Sequence, residues 1–256
     1  MKHVVLSPHF DDAVISLGGY LDILGKKATV ITFFTSSPIK PIVIKWDNKC
    51  GFINSKDTVK QRKIENLKAL KILNNNIIDY EYIQHSYRKK RMSKIEEKEL
   101  INEIEKDINK ILNTNKEISL YSPAYLGSRT HKDHKILHHA FIKTNKNNKN
   151  QKHKFYIYED YLYCDNFRIR HEIMKNSTLL RYFSSLYSSL TIIEKTIKLK
   201  NINLENKLEA ILKYKSQVFG FDNYSDSPMF SLTKVIDYNR KRYKDINSCE
   251  IIYQII

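Results

Sequence analysis

Apolar and polar positions fall into blocks along the first half of the chain, and the period changes from block to block. Residues 3–7 (HVVLS) are a short apolar run stopped by Pro8, the pattern of a buried strand. Over residues 13–24, Val14, Leu17, Leu21 and Leu24 recur at spacings of three and four and Gly25 closes the run, which predicts a helix. Residues 28–35 are β-branched and aromatic and predict a second strand, followed by a long polar loop over 36–56 that carries Trp46, the chain's only tryptophan. Helical periodicity returns over 59–73, and a third strand is expected over 77–83. Residues 93–112 predict a long amphipathic helix opened by the capping box Ser93-x-x-Glu96. A fourth strand over 118–122 stops at Pro123, and another helix begins near His131.

This alternation predicts an α/β fold, a single Rossmann-like domain whose mostly parallel sheet is flanked by helices. Residues 144–154 (TNKNNKNQKHK) are of low complexity and predict a mobile surface loop. Beyond it the pattern blurs, with a strand over 155–159, another over 189–193 and a helix over 202–218. No linker or internal repeat divides the sequence, so one domain over 1–256 is expected. The Gly18-Gly19 pair predicts close packing of the first helix on the sheet; without GxGxxG it is no dinucleotide fingerprint.

Composition narrows the function classes. With 41% hydrophobic and 28% charged residues, the 256-residue chain has the make-up of a soluble globular domain. Cys50, Cys164 and Cys249 are odd in number and widely spaced, which fits neither a disulfide framework nor a CxxC knuckle and favours a reducing compartment. The apolar run after the N-terminus is too short for an export signal, and nothing reaches the ~18 apolar residues of a membrane span, so a cytoplasmic protein is expected. The net charge of +16 suits an anionic partner or substrate, but the lysines are dispersed along the helices. The densest runs, 88–91 and 143–154, come with no nucleic-acid-binding signature, so no nucleic-acid partner is expected.

Two motifs carry candidate chemistry. Ser7-Pro8-His9-Phe10-Asp11-Asp12 lies between the first strand and the first helix, where an open parallel sheet binds its ligands. His9 and Asp12 can converge on one ion across that turn, and an imidazole with a carboxylate is an ordinary zinc pair. Asp11 is then left to accept a proton. The plainer alternative is that Asp11 and Asp12 cap the following helix. His131-Lys132-Asp133-His134 occupies the analogous place after the fourth strand, with its histidines one helical turn apart. Here the plainer alternative is two solvated histidines on a basic helix. His138, one turn further on, reads as a packing or surface histidine. Together the motifs supply two histidines and a carboxylate and leave a fourth position open, as in catalytic zinc sites; iron or cobalt would also suit such donors.

The two motifs, SPHFDDAVISLGG and HKDH, resemble those of the PIG-L/LmbE-like zinc-dependent N-deacetylases. The resemblance extends to Arg62-x-x-Glu65-Asn66-x-x-Ala69-x-x-Ile72-Leu73, to the acidic and aromatic segment Tyr158 to Tyr163, and to the stretch from Lys207 to Gln217. It implies an LmbE-like fold and removal of an N-acetyl group from an N-acetylated amino sugar or its conjugate. It further implies that His9, Asp12 and His134 hold Zn2+, that Asp11 is the general base, and that His131 is the acid or oxyanion stabiliser. Arg62, Arg129 and Glu159 are expected on the substrate, and Asp133 is expected to orient a histidine. Trp46 is available to stack on a sugar ring or to pack within its loop. The chain departs from the family pattern at Phe10 and Ala13, where proline and glutamate are commonest, and at Arg129, where some members have tyrosine. These departures touch substrate placement and none of the proposed ligands. Two rivals remain: a metal hydrolase of another amide, an ester or a phosphoester, and a basic module that binds polyanions. Neither the aglycone nor the oligomeric state is legible.

Overall fold

A computed structural model describes residues 2–88, 92–114, 116–125, 131–148, 152–160, 191–222 and 249–256, the side chains of 219–222 excepted. The strands among them are β1 (Lys2–Ser7), β2 (Ala28–Thr32), β3 (Asn76–Asp79), β4 (Ile118–Pro123), β5 (Lys154–Tyr158), β6 (Ile192–Lys198) and β7 (Cys249–Ile255). The helices are α1 (Asp12–Leu24), α2 (Lys45–Lys49), α3 (Ser55–Ile72), α4 (Lys94–Leu112), α5 (Lys132–Asn147), α6 (Asn201–Ile211) and α7 (Lys215–Asp222).

The strands form one sheet in the order β3-β2-β1-β4-β5-β7-β6. The five from β3 to β5 run parallel, and β7 pairs antiparallel with both β5 and β6. One face of the sheet buries Leu6, Leu120 and Phe155 against Ile104 and Ile108 of α4 and Ile136, Leu137 and Phe141 of α5. The other buries Val5, Val30 and Tyr156 against Val14 and Leu17 of α1, Ala69 and Leu70 of α3 and Ala210 of α6. The chain leaves β1 toward β2 on one side and later returns through β4 on the other, so a crevice opens where β1 and β4 end. Both histidine motifs begin there. No helix among the described residues is long and apolar enough to cross a membrane.

Local chemistry sets the boundaries. Asn54 caps α3 by accepting from the Lys56 and Asp57 N–H groups, and the Ser93–Glu96 box at α4 is formed in both directions. Gly25 ends α1 at φ 51°, a conformation that glycine adopts without a Cβ penalty. The predicted loop over 144–154 starts later than its composition suggests. Helix α5 continues through Asn147, with Lys143 and Asn147 tied to Glu105 of α4. The helix expected over 202–218 is broken into α6 and α7, with Tyr214 in the break.

The Gly18-Gly19 pair faces α6 and the chain leading into it instead of the sheet. A Cβ on Gly18 would meet the Lys207 side chain at 2.6 Å, and one on Gly19 would meet Leu199 at 2.5 Å. Helix α1 is also kinked at Leu17 (φ −122°, ψ 19°). Glu250 of β7 accepts the Gly19 and Tyr20 N–H groups at 3.0 and 2.7 Å and is paired to buried Lys207 at 2.7 Å.

Candidate metal centre and its cleft

His9, Asp11 and Asp12 are delivered by the turn out of β1. Ser7 Oγ donates to the His9 carbonyl (2.6 Å) and accepts the Ala13 N–H (3.1 Å), which locks the turn. Asp11 occupies the N-cap position of α1 without a side-chain capping bond, and Asp12 Oδ2 accepts the His9 N–H at 2.8 Å. Helix capping therefore does not account for Asp11. His131 is the N-cap of α5, its Nδ1 accepting the Asp133 N–H at 3.3 Å, and His134 lies one turn in, fully buried.

Three donor atoms meet at one point. His9 Nδ1, Asp12 Oδ2 and His134 Nε2 are each 3.2 Å from the other two. A tetrahedral zinc with ligands at ~2.0 Å requires donor separations of about 3.3 Å, so these atoms fit one face of such a site. The ring of His131 lies 4.9 Å from that of His9 and 5.8 Å from that of His134, beside the triangle. His134 thus belongs to two overlapping donor clusters, one with His9 and His131 and one with Asp12 and Asp160. Asp160 binds the opposite nitrogen, Nδ1, so it holds His134 from behind while Nε2 faces the triangle.

Each histidine of the triangle has its own carboxylate. His9 Nε2 lies 3.1 Å from Asp133 Oδ2, as expected for an orienting partner. Asp133 also accepts the His85 N–H at 2.8 Å and an Arg88 Nη2 bond at 2.9 Å. Burial opposes charge on Asp133, yet the His9 bond and the neighbouring cations hold its carboxyl at about 2. Asp12 is likewise held well below the ordinary range, His134 outweighing its burial. His9 and His134 are raised despite burial by the carboxylates they touch. A donor set that attracts protons this way attracts a divalent cation for the same electrostatic reason. His131 differs: burial, aided by the charge of His9, pushes it down to about 3, so it is neutral, with Nδ1 accepting and Nε2 carrying the hydrogen.

A cleft of about 300 Å³ opens beside the triangle, lined among others by His9, Asp11, Asp12, Arg62, Trp46 and His131. Arg62 donates to Asp11 Oδ1 at 2.7 Å and is nearly buried, so this expected substrate residue also grips the expected base. Trp46 Nε1 donates to Gln217 Oε1 at 3.2 Å, and both line the cleft. Tyr214, in the break between α6 and α7, bonds the Phe10 carbonyl at 3.0 Å and Asn66 at 2.8 Å, tying the motif turn to α3. His138 is a packing residue, buried and bonded to the Pro123 carbonyl at 2.7 Å.

Glu159 does not line the described cleft. It is buried and accepts the Tyr253 hydroxyl at 2.7 Å. The neighbouring Asp160 reaches the centre in its place. Arg129 lies outside the described residues. Arg88 was hidden in a basic run that reads as a solvated loop, and only its fold neighbours reveal it beside Asp133.

Sheet order, crevice and donor set define a Rossmann-like scaffold with a His–Asp–His cluster at its switch point. The chain belongs to the GlcNAc-PI de-N-acetylase (PIG-L) family, whose model matches residues 4–145. No curated protein matches the sequence. Among solved structures, teicoplanin deacetylase in its zinc-inhibited form aligns with a TM-score of 0.78 at 18% identity, over 100% of this chain and 98% of that one. The N,N'-diacetylchitobiose deacetylase of Pyrococcus horikoshii aligns at 0.55 and 14% identity, over 100% and 83%. The 4-carboxy-2-hydroxymuconate hydratase of Pseudomonas putida aligns at 0.55 and 13% identity, over 100% and 97%. Identities this low establish a shared fold, and the hydratase shows that the fold alone does not select a reaction.

Proposed function

We propose that the protein is a metal-dependent amide hydrolase that removes the N-acetyl group from an N-acetylated amino sugar or its conjugate. The observation that carries this reading is the donor triangle with 3.2 Å edges, set beside the Arg62-clamped Asp11 in an open cleft. His9, Asp12 and His134 would hold zinc. When bound there, the ion supplies an activated water and polarises the acetyl carbonyl. The family description and the deacetylases of the same fold support the sugar part of the proposal.

The protein's own groups divide the remaining work. Arg62 fixes Asp11 through Oδ1, and the second carboxylate oxygen takes the proton as water adds to the carbonyl. His131 is neutral, with Nε2–H free of the Asp133 backbone bond, and donates to the oxygen on which negative charge builds. An imidazole held near 3 is a poor proton source, so Asp11 returns its proton to the departing amine. Water and amide then give acetate and a free amino sugar.

Metal analysis of protein purified without chelator tests the centre, and acetate release from N-acetylglucosamine conjugates tests the bond. About one zinc per chain is expected, lost in His9→Ala and in His134→Ala. Asp11→Asn should keep the metal and lose about 10²–10⁴-fold in acetate release. A wild-type protein that takes up no metal, or that loads zinc yet frees no acetate, overturns the reading.

A further inference from the structure

The loop between β2 and α3 has two faces. Its inner face lines the cleft through Ile44 and Trp46. On its outer face Ile39, Val43 and Ile53 are 104%, 56% and 76% exposed. Val43 and Ile53 are drawn together by one pair of bonds, with Ile39 three residues upstream of it. The Ile42 N–H donates to Ser55 Oγ at 3.2 Å and the Ser55 N–H donates to the Ile42 carbonyl at 2.8 Å, so the residues after 42 run beside those before 55. The charge around them is predominantly positive. Residues 36–56 contain four lysines (Lys40, Lys45, Lys49 and Lys56), all exposed, and a single carboxylate, the buried Asp47. Ile95 on α4, 72% exposed, is followed instead by Glu96 and Glu97.

Large aliphatics held in water among four exposed lysines, against the one exposed carboxylate Asp57 at the end of the loop, complement the interface of an anionic bilayer. There the side chains enter the acyl boundary while the ammonium groups meet lipid phosphates. We propose that this loop docks the protein on an anionic membrane surface through Ile39, Val43 and Ile53, with Lys40, Lys45 and Lys56 at the phosphates. The docking is independent of the hydrolytic reading, because binding alone reports it.

The test is flotation of the full chain with phosphatidylcholine vesicles, with and without phosphatidylglycerol. Wild type should float only with the anionic vesicles, and Ile39→Asp/Val43→Asp should weaken that binding by about tenfold. Ile95→Asp adds the same type of charge on α4 and should bind as wild type does. Three results overturn the proposal. Wild type that never floats, or that floats equally on neutral vesicles, removes the complementarity. An Ile95→Asp loss equal to that of the loop variant assigns the attraction to the overall +16 charge instead.

Discussion

The two histidines of the triangle are held by carboxylates of opposite character. Behind His9, Asp133 gathers the imidazole, the His85 N–H and the Arg88 guanidinium, and sits at about 2. Behind His134, Asp160 binds Nδ1 through Oδ2, while its Oδ1 is buried without a hydrogen-bond partner among the described residues. Burial raises Asp160 despite the opposing pull of His134. One carboxylate is a hub that joins the β3–α4 connection to α5; the other is an acceptor at the end of β5. A buried charge with several partners carries structure, whereas one with a single partner mainly aims its histidine.

The largest expected effect is therefore on the His9 side. Asp133→Ala leaves an imidazole, an N–H and a guanidinium facing a vanished anion, which should cost about 3–5 kcal/mol of unfolding free energy. Urea denaturation of the metal-free protein measures it. If Asp133→Ala and Asp160→Ala cost the same, the contrast between hub and acceptor is wrong.

How much of this arrangement is written locally explains what the sequence revealed. His9, Asp11, Asp12, His131, Asp133 and His134 lie in two short motifs at strand ends, so periodicity and spacing alone bring them to one edge of the sheet. The sheet was legible through β5 for the same reason, since each strand announces itself within a few residues. The outer layers depend on distant partners. Strand β7 pairs antiparallel between β5 and β6, and Glu250 on it matters only because α1 is kinked where Gly19 and Tyr20 present free N–H groups. Arg88 looks like a solvated charge until Asp133 is placed beside it. Glu159, expected on the substrate, turns to Tyr253 while the next residue, Asp160, holds His134, and neither partner is visible from the local sequence.

A middle-sized effect should appear on the His134 side, in binding instead of folding. Asp160→Asn retains a carbonyl oxygen for His134 Nδ1 but weakens the imidazole as a donor. Zinc affinity should fall about 10–100-fold. The unfolding free energy should move by about 1 kcal/mol, because a hydrogen bond is weakened and no second cation is stranded. Chelator competition reads the first quantity and urea denaturation the second. A stability loss matching that of Asp133→Ala would show that Asp160 has structural partners beyond His134.

The smallest effect sharpens the role of Arg88. Its guanidinium uses Nη2 for both Asp133 Oδ1 and the Ile83 carbonyl, adds Nε to the same carbonyl, and stands 5.4 Å over the Phe34 ring. A lysine keeps the charge, but Arg88→Lys gives up the second donor, Nε, to the Ile83 carbonyl and the planar group over Phe34. The expected cost is about 1 kcal/mol of stability, the worth of one net hydrogen bond, with zinc affinity changed by less than about threefold. His9 still has Asp133, and Asp133 still has the His85 N–H and a cation, which is why the ligand should hardly register the exchange. A tenfold loss of zinc affinity at unchanged stability would move Arg88 from the scaffold to the metal site, because the guanidinium would then be setting the basicity of His9 through Asp133.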